Sequence, residues 1–416
     1  MIVTRHGARS PTTPRPTNST IHFNAWDIYQ GDHTQSGNRQ HYLLGVKQRK
    51  TYVDSGFLSP TYNPKEFMIM STDFNRTIMS AYSELLGYYP LGSVSNLDDN
   101  QKANAVPPFN FNGKDAAVKE LGVSPTKYGF QPIPIHVGDI DPMMRGMDSD
   151  ICPYQSSLRH KYIGSDDWKD VNKKYQDILF KEMISKWNAN GATLDFSSAY
   201  PYIDNYYSAW FDQMELVNKI NDDAQKQVDL ILRDGLYEGF YGLDLAVRLA
   251  TTRFFNFISS TLDNKIGAMS GTKNTTEFYK DIKVMYLSAH DSTLSAIMSG
   301  LYQKQPEQVY FASNFKVELY EASDTAGKKS YSVRMLFNEK PFNVGTNNTC
   351  AQVDCPYETV KSFLKSREYD GDLNDICFNG GNENGNSDAA KAWLIVLLIT
   401  VILIILLNIG YFVIMK

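Results

Sequence analysis

IVTRHGARSP, residues 2–11, runs from apolar positions directly into two arginines and a histidine. Ile2 to Thr4 read as the stub of a strand. FMIMSTDFNRTIMSA, residues 67–81, has the same layout: an apolar strand ending in polar residues, then a stretch with helical periodicity over 76–89. VMYLSAHDSTLSA, residues 284–296, repeats it, and STLSAIMSGLY continues as a helix. Such junctions predict an α/β fold with a central, mostly parallel sheet flanked by helices. Ligands bind beyond the carboxyl ends of strands in sheets of this kind. Side by side, the three segments put Arg5, His6, Arg9, Arg76, His290 and Asp291 in one crevice.

The rest of the chain is organised around these segments. KVELYEAS and KSYSVRMLF, within 316–337, read as a hairpin joined by a Gly-containing turn. Residues 96–225 are rich in Pro, Tyr, Asp and Lys and carry helix-like stretches such as YQDILFKEMISKW, so they read as an inserted, mainly helical cap. The expected division is a core formed by 1–95 and 226–378, the cap at 96–225, a polar linker at 379–391 and a membrane helix at 392–415. The last run is uncharged and long enough for a bilayer, which takes about 20 helical residues. Small residues at Asn379, Gly380 and Gly381, followed by a spacer and a hydrophobic end, also suit a lipid-anchor (GPI) signal. MIVTRHG holds no leader of signal-peptide length. The expected arrangement is a lumenal or extracellular domain whose start lies upstream, and the alternative is a cytosolic domain with a tail anchor.

Three guanidiniums and two imidazoles in one pocket are unfavourable unless an anion resides there. Phosphate suits them, because Arg pairs bidentately with its oxygens. Nearby cations oppose protonation of His6 and keep a lone pair available for attack on phosphorus. Gly7 gives the backbone room to fix the ring through its other nitrogen. Arg5, Arg9, Arg76 and His290 would hold the equatorial oxygens, and Asp291 would protonate the leaving oxygen, at low pH or with its pKa raised beside other acids. Asp73 is expected to be structural. His22, His33, His41, His136 and His160 are expected to be structural or exposed, with His22 and Asp27 as candidates for the substrate mouth.

The net charge of −5 and the lack of a Lys/Arg stripe exclude a nucleic-acid footprint. The four cysteines, Cys152, Cys350, Cys355 and Cys377, form no CxxC pair and no His/Cys cluster, so neither zinc nor any other cofactor is expected. Two disulfides or four free thiols both remain open on spacing alone. Glycosylation patterns begin at Asn18, Asn75, Asn274 and Asn347. The one at Asn75 abuts Arg76 and is expected to be unused, which leaves Asn18, Asn274 and Asn347.

RHGARSP, residues 5–11, resembles the R-H-G-x-R-x-P signature of the histidine acid phosphatases. The resemblance continues in QHYLLG (40–45), STDFNRTIMSA (71–81), QPIPIH (131–136) and SAHDST (288–293), and runs from about residue 1 to about residue 378. Ser292 and Thr293 after the His–Asp pair make the chain more similar to the animal prostatic and lysosomal enzymes than to many phytases. The resemblance implies an α/β sandwich with a smaller helical domain, and hydrolysis of phosphate monoesters without a metal. It implies a phosphohistidine on His6, proton donation by Asp291, and phosphate binding by Arg5, Arg9, Arg76 and His290. It also implies the pairings Cys152–Cys377 and Cys350–Cys355. A membrane-anchored form resembles the lysosomal type, but Tyr411–Ile414, which mimics its tyrosine sorting signal, sits inside the hydrophobic run. Phytase-like or lipid-phosphate hydrolysis, phosphotransfer, and a binding protein without catalysis are the rival readings. A homodimer is one open assembly.

Overall fold

A computed structural model of the chain describes residues 1–21, 25–271, 277–346, 349–350 and 352–380. Its centre is a mixed sheet. The strands are β1 (Ile2–Arg5), β2 (Phe67–Ser71), β3 (His136–Val137), β4 (Val284–Ala289), β5 (Asn314–Ser323), β6 (Lys329–Phe337), β7 (Lys340–Phe342) and β8 (Cys355–Pro356). Their order is β3-β2-β4-β1-β5-β6-β7, with β8 also on β6. The strands from β3 to β1 run parallel, and every pairing from β1–β5 onward is antiparallel.

The sheet is therefore half parallel, not mostly parallel as the junctions alone suggested. The reason lies in the connections: a parallel neighbour needs a long crossover, whereas a short turn forces antiparallel pairing. The hairpin β5–β6 turns at Asp324–Lys328, where Asp324 Oδ1 accepts from the amides of Ala326 and Lys328, and Gly327 takes φ +77°.

The parallel strands β1, β2 and β4 are buried on both faces, which is why they read as near-continuous apolar runs. Alternate residues face two different clusters. Ile2, Ile69 and Tyr286 join Leu85 and Tyr88. Val3, Met70 and Leu287 join Phe254, Phe255 and Ile258. Helices α1 (Gln35–Gln48) and α2 (Asn75–Tyr88) pack against each other, and α2 supplies Leu85 and Tyr88 to the first cluster. The helices Asp244–Ser270 and Asp291–Gly300 cover the other face.

Residues 96–225 are mainly helical, with two departures from the boundaries read from sequence. His136 and Val137 fall inside this stretch yet pair with Met70 and Ser71 at the sheet edge. The helix Asp222–Asp234 runs through position 225, because its buried face continues from Ala224 through Val228 to Ile231. Those residues share a third apolar cluster with Trp168, Trp187 and Ile203, which also takes in Ala8, Ile21 and Phe311. Cys152 is bonded to Cys377, and Cys350 to Cys355. No helix among the described residues is long and apolar enough to cross a membrane, and the run 392–415 lies outside them.

Candidate active site

The order β2-β4-β1 sets the three sequence junctions next to one another, with Arg5 opposite Ala289 and Ser71 opposite Ser288. Their polar ends open into a cavity of about 450 Å³, lined by Arg5, His6, Arg9, Arg76, His290 and Asp291 together with residues of the helical layer. All six residues singled out from the sequence thus meet in one place.

His6 is 2% exposed, and its Nδ1 lies 2.8 Å from the carbonyl oxygen of Gly7. A carbonyl only accepts, so Nδ1 carries the proton and Nε2 keeps the lone pair. Burial, with Arg76, Arg5, Arg9 and His290 around it, holds the ring well below the usual histidine value. The loop that carries it is pinned from behind. The Gly7 amide donates to Ser80 Oγ at 3.0 Å, and a Cβ on Gly7 would come within 2.5 Å of His33 Nε2 and 2.7 Å of Gly37. His41 bridges the Arg5 carbonyl oxygen at 3.1 Å and Glu84 at 2.9 Å, and Tyr286 donates to Glu84 at 2.8 Å. His33 and His41 are therefore the buried supports of this loop.

The guanidiniums are only partly satisfied. Arg5 pairs with Asp291 at 2.8 Å and reaches the Val309 carbonyl oxygen, and Arg9 pairs with Asp204 at 2.9 Å. Arg76 lies over the Phe74 ring, 4.5 Å from its centroid. The Nε atoms of Arg5, Arg9 and Arg76 are all buried without a hydrogen-bond partner. Three guanidiniums lining one cavity suit it to anionic oxygens. His290 Nε2 meets Thr72 Oγ1 at 3.0 Å, and burial with Arg76, Arg145 and Arg5 pushes its pKa down to about 3 against the pull of Asp291.

Asp291 begins the helix Asp291–Gly300, and its Oδ1 accepts the Ser292 amide at 2.8 Å. Burial pushes its carboxyl up, but Arg5, Arg9 and His290 more than offset this and hold it below the usual range. Its neighbours are cationic, so the raised pKa that acidic neighbours would give is not found. Asp73 is exposed and outside the cavity, as is Asp27. His22 lies outside the described residues. His136 is exposed on the edge strand, and His160 lines the cavity.

A profile of the histidine phosphatase superfamily, branch 2, matches residues 1–338. The chain belongs to that superfamily. It is 42% identical to human prostatic acid phosphatase over 340 residues, covering 82% of this chain and 76% of that protein. It is 26% identical to Xenopus laevis lysosomal acid phosphatase over 370 residues, 88% of this chain and 75% of that one. The same fold occurs in the phytase of Citrobacter braakii, at TM-score 0.60 and 14% identity over 88% of this chain and 97% of that chain.

In this histidine phosphatase the sequence reading missed the residues that the helical layer brings to the site. Asp204, the partner of Arg9, sits on the helix Phe196–Phe211 with Tyr200 and Tyr207, all three facing the cavity. The available signal was a carboxylate at helical spacing from those two tyrosines, in a helix otherwise rich in aromatic residues. Thr72, Arg145 and Arg159 were missed too, and no local pattern marks them.

Proposed function

We propose that the chain is an acid phosphatase that hydrolyses phosphate monoesters through a phosphohistidine on His6. The observation that carries this is a His6 whose Nδ1 is held by the Gly7 carbonyl, leaving Nε2 its lone pair, in a cavity lined also by Arg5, Arg9, Arg76 and His290. Arg5, Arg9, Arg76 and His290 hold the phosphoryl oxygens, where charge spreads in the transition state. His6 Nε2 attacks phosphorus and the ester P–O bond breaks, with a proton from Asp291 going to the leaving oxygen. Asp291, now a carboxylate, takes a proton from water as that water attacks the phosphohistidine. Phosphate and neutral His6 are released. The relatives named for acid phosphatase activity support this over phytase-like or lipid-phosphate hydrolysis.

The helical residues 96–225 act in this reading as a cap over the core. The catalytic domain faces a lumen or the cell exterior, held by 392–415 as a membrane helix or through a lipid anchor. The lysosomal relatives and the paired cysteines favour that placement. Asn18 is exposed, as a glycan site requires, whereas Asn274 and Asn347 lie outside the described residues.

Rapid quench without acid, using a labelled phosphomonoester, should trap acid-labile, base-stable label on His6, and His6→Ala should abolish turnover. Label on Asp or Ser would overturn the mechanism. Recovery of transferred phosphate in place of free phosphate would make the chain a phosphotransferase.

A further inference from the structure

Four arginines line the cavity, and they differ in what they touch. Arg5 and Arg9 are paired with carboxylates, and Arg76 stands with them around His6. Arg159 belongs to another part of the wall. It lies on the helix Pro153–Ile163, whose N-cap residue Cys152 is bonded to Cys377. Its guanidinium rests over the Phe240 ring, 4.7 Å from the centroid. Among the described residues it makes no hydrogen bond and no ion pair. The carboxylate that acts on it, Asp148, is already held by Arg145 Nε at 2.7 Å.

A half-buried cation stacked on one aromatic ring keeps its planar donor edge free for a ligand. The groups that act electrostatically on Arg159 are Tyr241 and Asp148 and none of the phosphate cluster, so it stands apart from that cluster. Phe74, Met147, Phe196, Leu236 and Phe240 give the wall an apolar part, beside polar groups that include Asp148 and His160. The cavity thus offers one multidentate anion site, an apolar wall and a second, single guanidinium.

We propose that Arg159 is a second anion subsite, and that preferred substrates are phosphomonoesters whose alcohol carries an aryl-sized apolar spacer ending in anionic oxygens, of carboxylate or phosphate type. This rests on the phosphatase reading above and adds a specificity-determining residue to it. A polyphosphorylated ring would need cations all round the wall, whereas this wall has one beyond the phosphate cluster.

The test uses three aryl phosphates with matched leaving groups: phosphorylated 3-(4-hydroxyphenyl)propanoate, its carboxamide, and the corresponding phosphonate. Both anionic esters should show a KM about tenfold below that of the amide, as expected for charge-assisted hydrogen bonds in a partly screened site. The lower KM of the two identifies the type of anion the site takes. Arg159→Gln should bring the acid-to-amide KM ratio to about one, Arg159→Lys should restore part of it, and added salt should shrink it. Equal KM values for acid and amide in the unmodified protein, or a preference that survives Arg159→Gln in a variant with unchanged circular dichroism, would overturn the subsite. Failure of the phosphatase reading would look different, because no His6-dependent phosphate release would then occur even from the amide.

Discussion

Replacing Asp204 by Asn tests how the helical layer holds the phosphate site. Asp204 and Arg9 are both nearly fully buried, with side-chain exposures of 4% and 7%. Oδ1 of Asp204 pairs with Arg9, and Oδ2 accepts from the amides of Thr12 and Thr13 at 2.7 and 3.2 Å and from both hydroxyls. One carboxylate thus ties the loop after the signature to the helix above it. An Asn oxygen can keep the threonine bonds, but its NH2 then takes the place of Oδ1 and faces Arg9. Arg9 is left buried without a counter-charge, which costs about 3–5 kcal/mol when one partner of a buried pair is removed. Urea unfolding at neutral pH should show that loss. Inorganic phosphate supplies a new partner for Arg9, so saturating phosphate should recover more stability in the variant than in the parent. A loss below about 1 kcal/mol, or equal losses with and without phosphate, would refute the argument that Asp204 balances a cation of the anion site.

Three further outcomes are expected. Asp291→Asn should slow alkyl phosphates by about 10²–10⁴-fold and activated aryl phosphates far less, and equal losses in steady-state kinetics would remove Asp291 as proton donor. Gly7→Ala should lose most activity and about 1–3 kcal/mol of stability, because its methyl would meet His33 and the Gly37 backbone; normal kcat and melting would contradict that packing. Stability should fall as pH drops from about 6.5 toward about 4, since burial pushes His33 down to about 4 and the unfolded chain binds the proton more strongly; His33→Gln should flatten this part of the pH–stability profile.

What the sequence showed and what it hid have a common physical origin. The three junctions were legible because strand, polar cluster and helix follow one another within a few residues, so local periodicity suffices. Adjacent parallel strands then put Arg5, Arg76 and His290 in one crevice without further information. β3 was invisible because His136 and Val137 are too few to display alternation, and only pairing with β2 makes them a strand. Asp204 and Arg159 were missed for another reason. Their function comes from the face that the inserted helices turn to the core, and tertiary packing sets that face. The hairpin was read correctly, but its consequence, an antiparallel half-sheet, depends on β1 pairing with β5 across more than 300 residues of chain.

The depressed pKa of Asp291 at first opposes its proposed task, since a carboxyl held below the usual range takes up a proton less readily. The cause of the depression points to a resolution. Arg5, 2.8 Å away, is the leading cation acting on it, and Arg5 also belongs to the site that the phosphoryl group enters. A phosphoryl dianion among these guanidiniums replaces surplus positive charge with negative charge. The influence that keeps Asp291 ionised then weakens, while a like charge arrives beside it, and both changes raise its pKa. His290, whose pKa burial and the surrounding cations push down, is affected in the same direction. His6 meets the phosphorus through its lone pair before a proton can claim it. In this reading the substrate creates its own proton donor, and acid favours turnover because it supplies the proton that Asp291 takes up on binding.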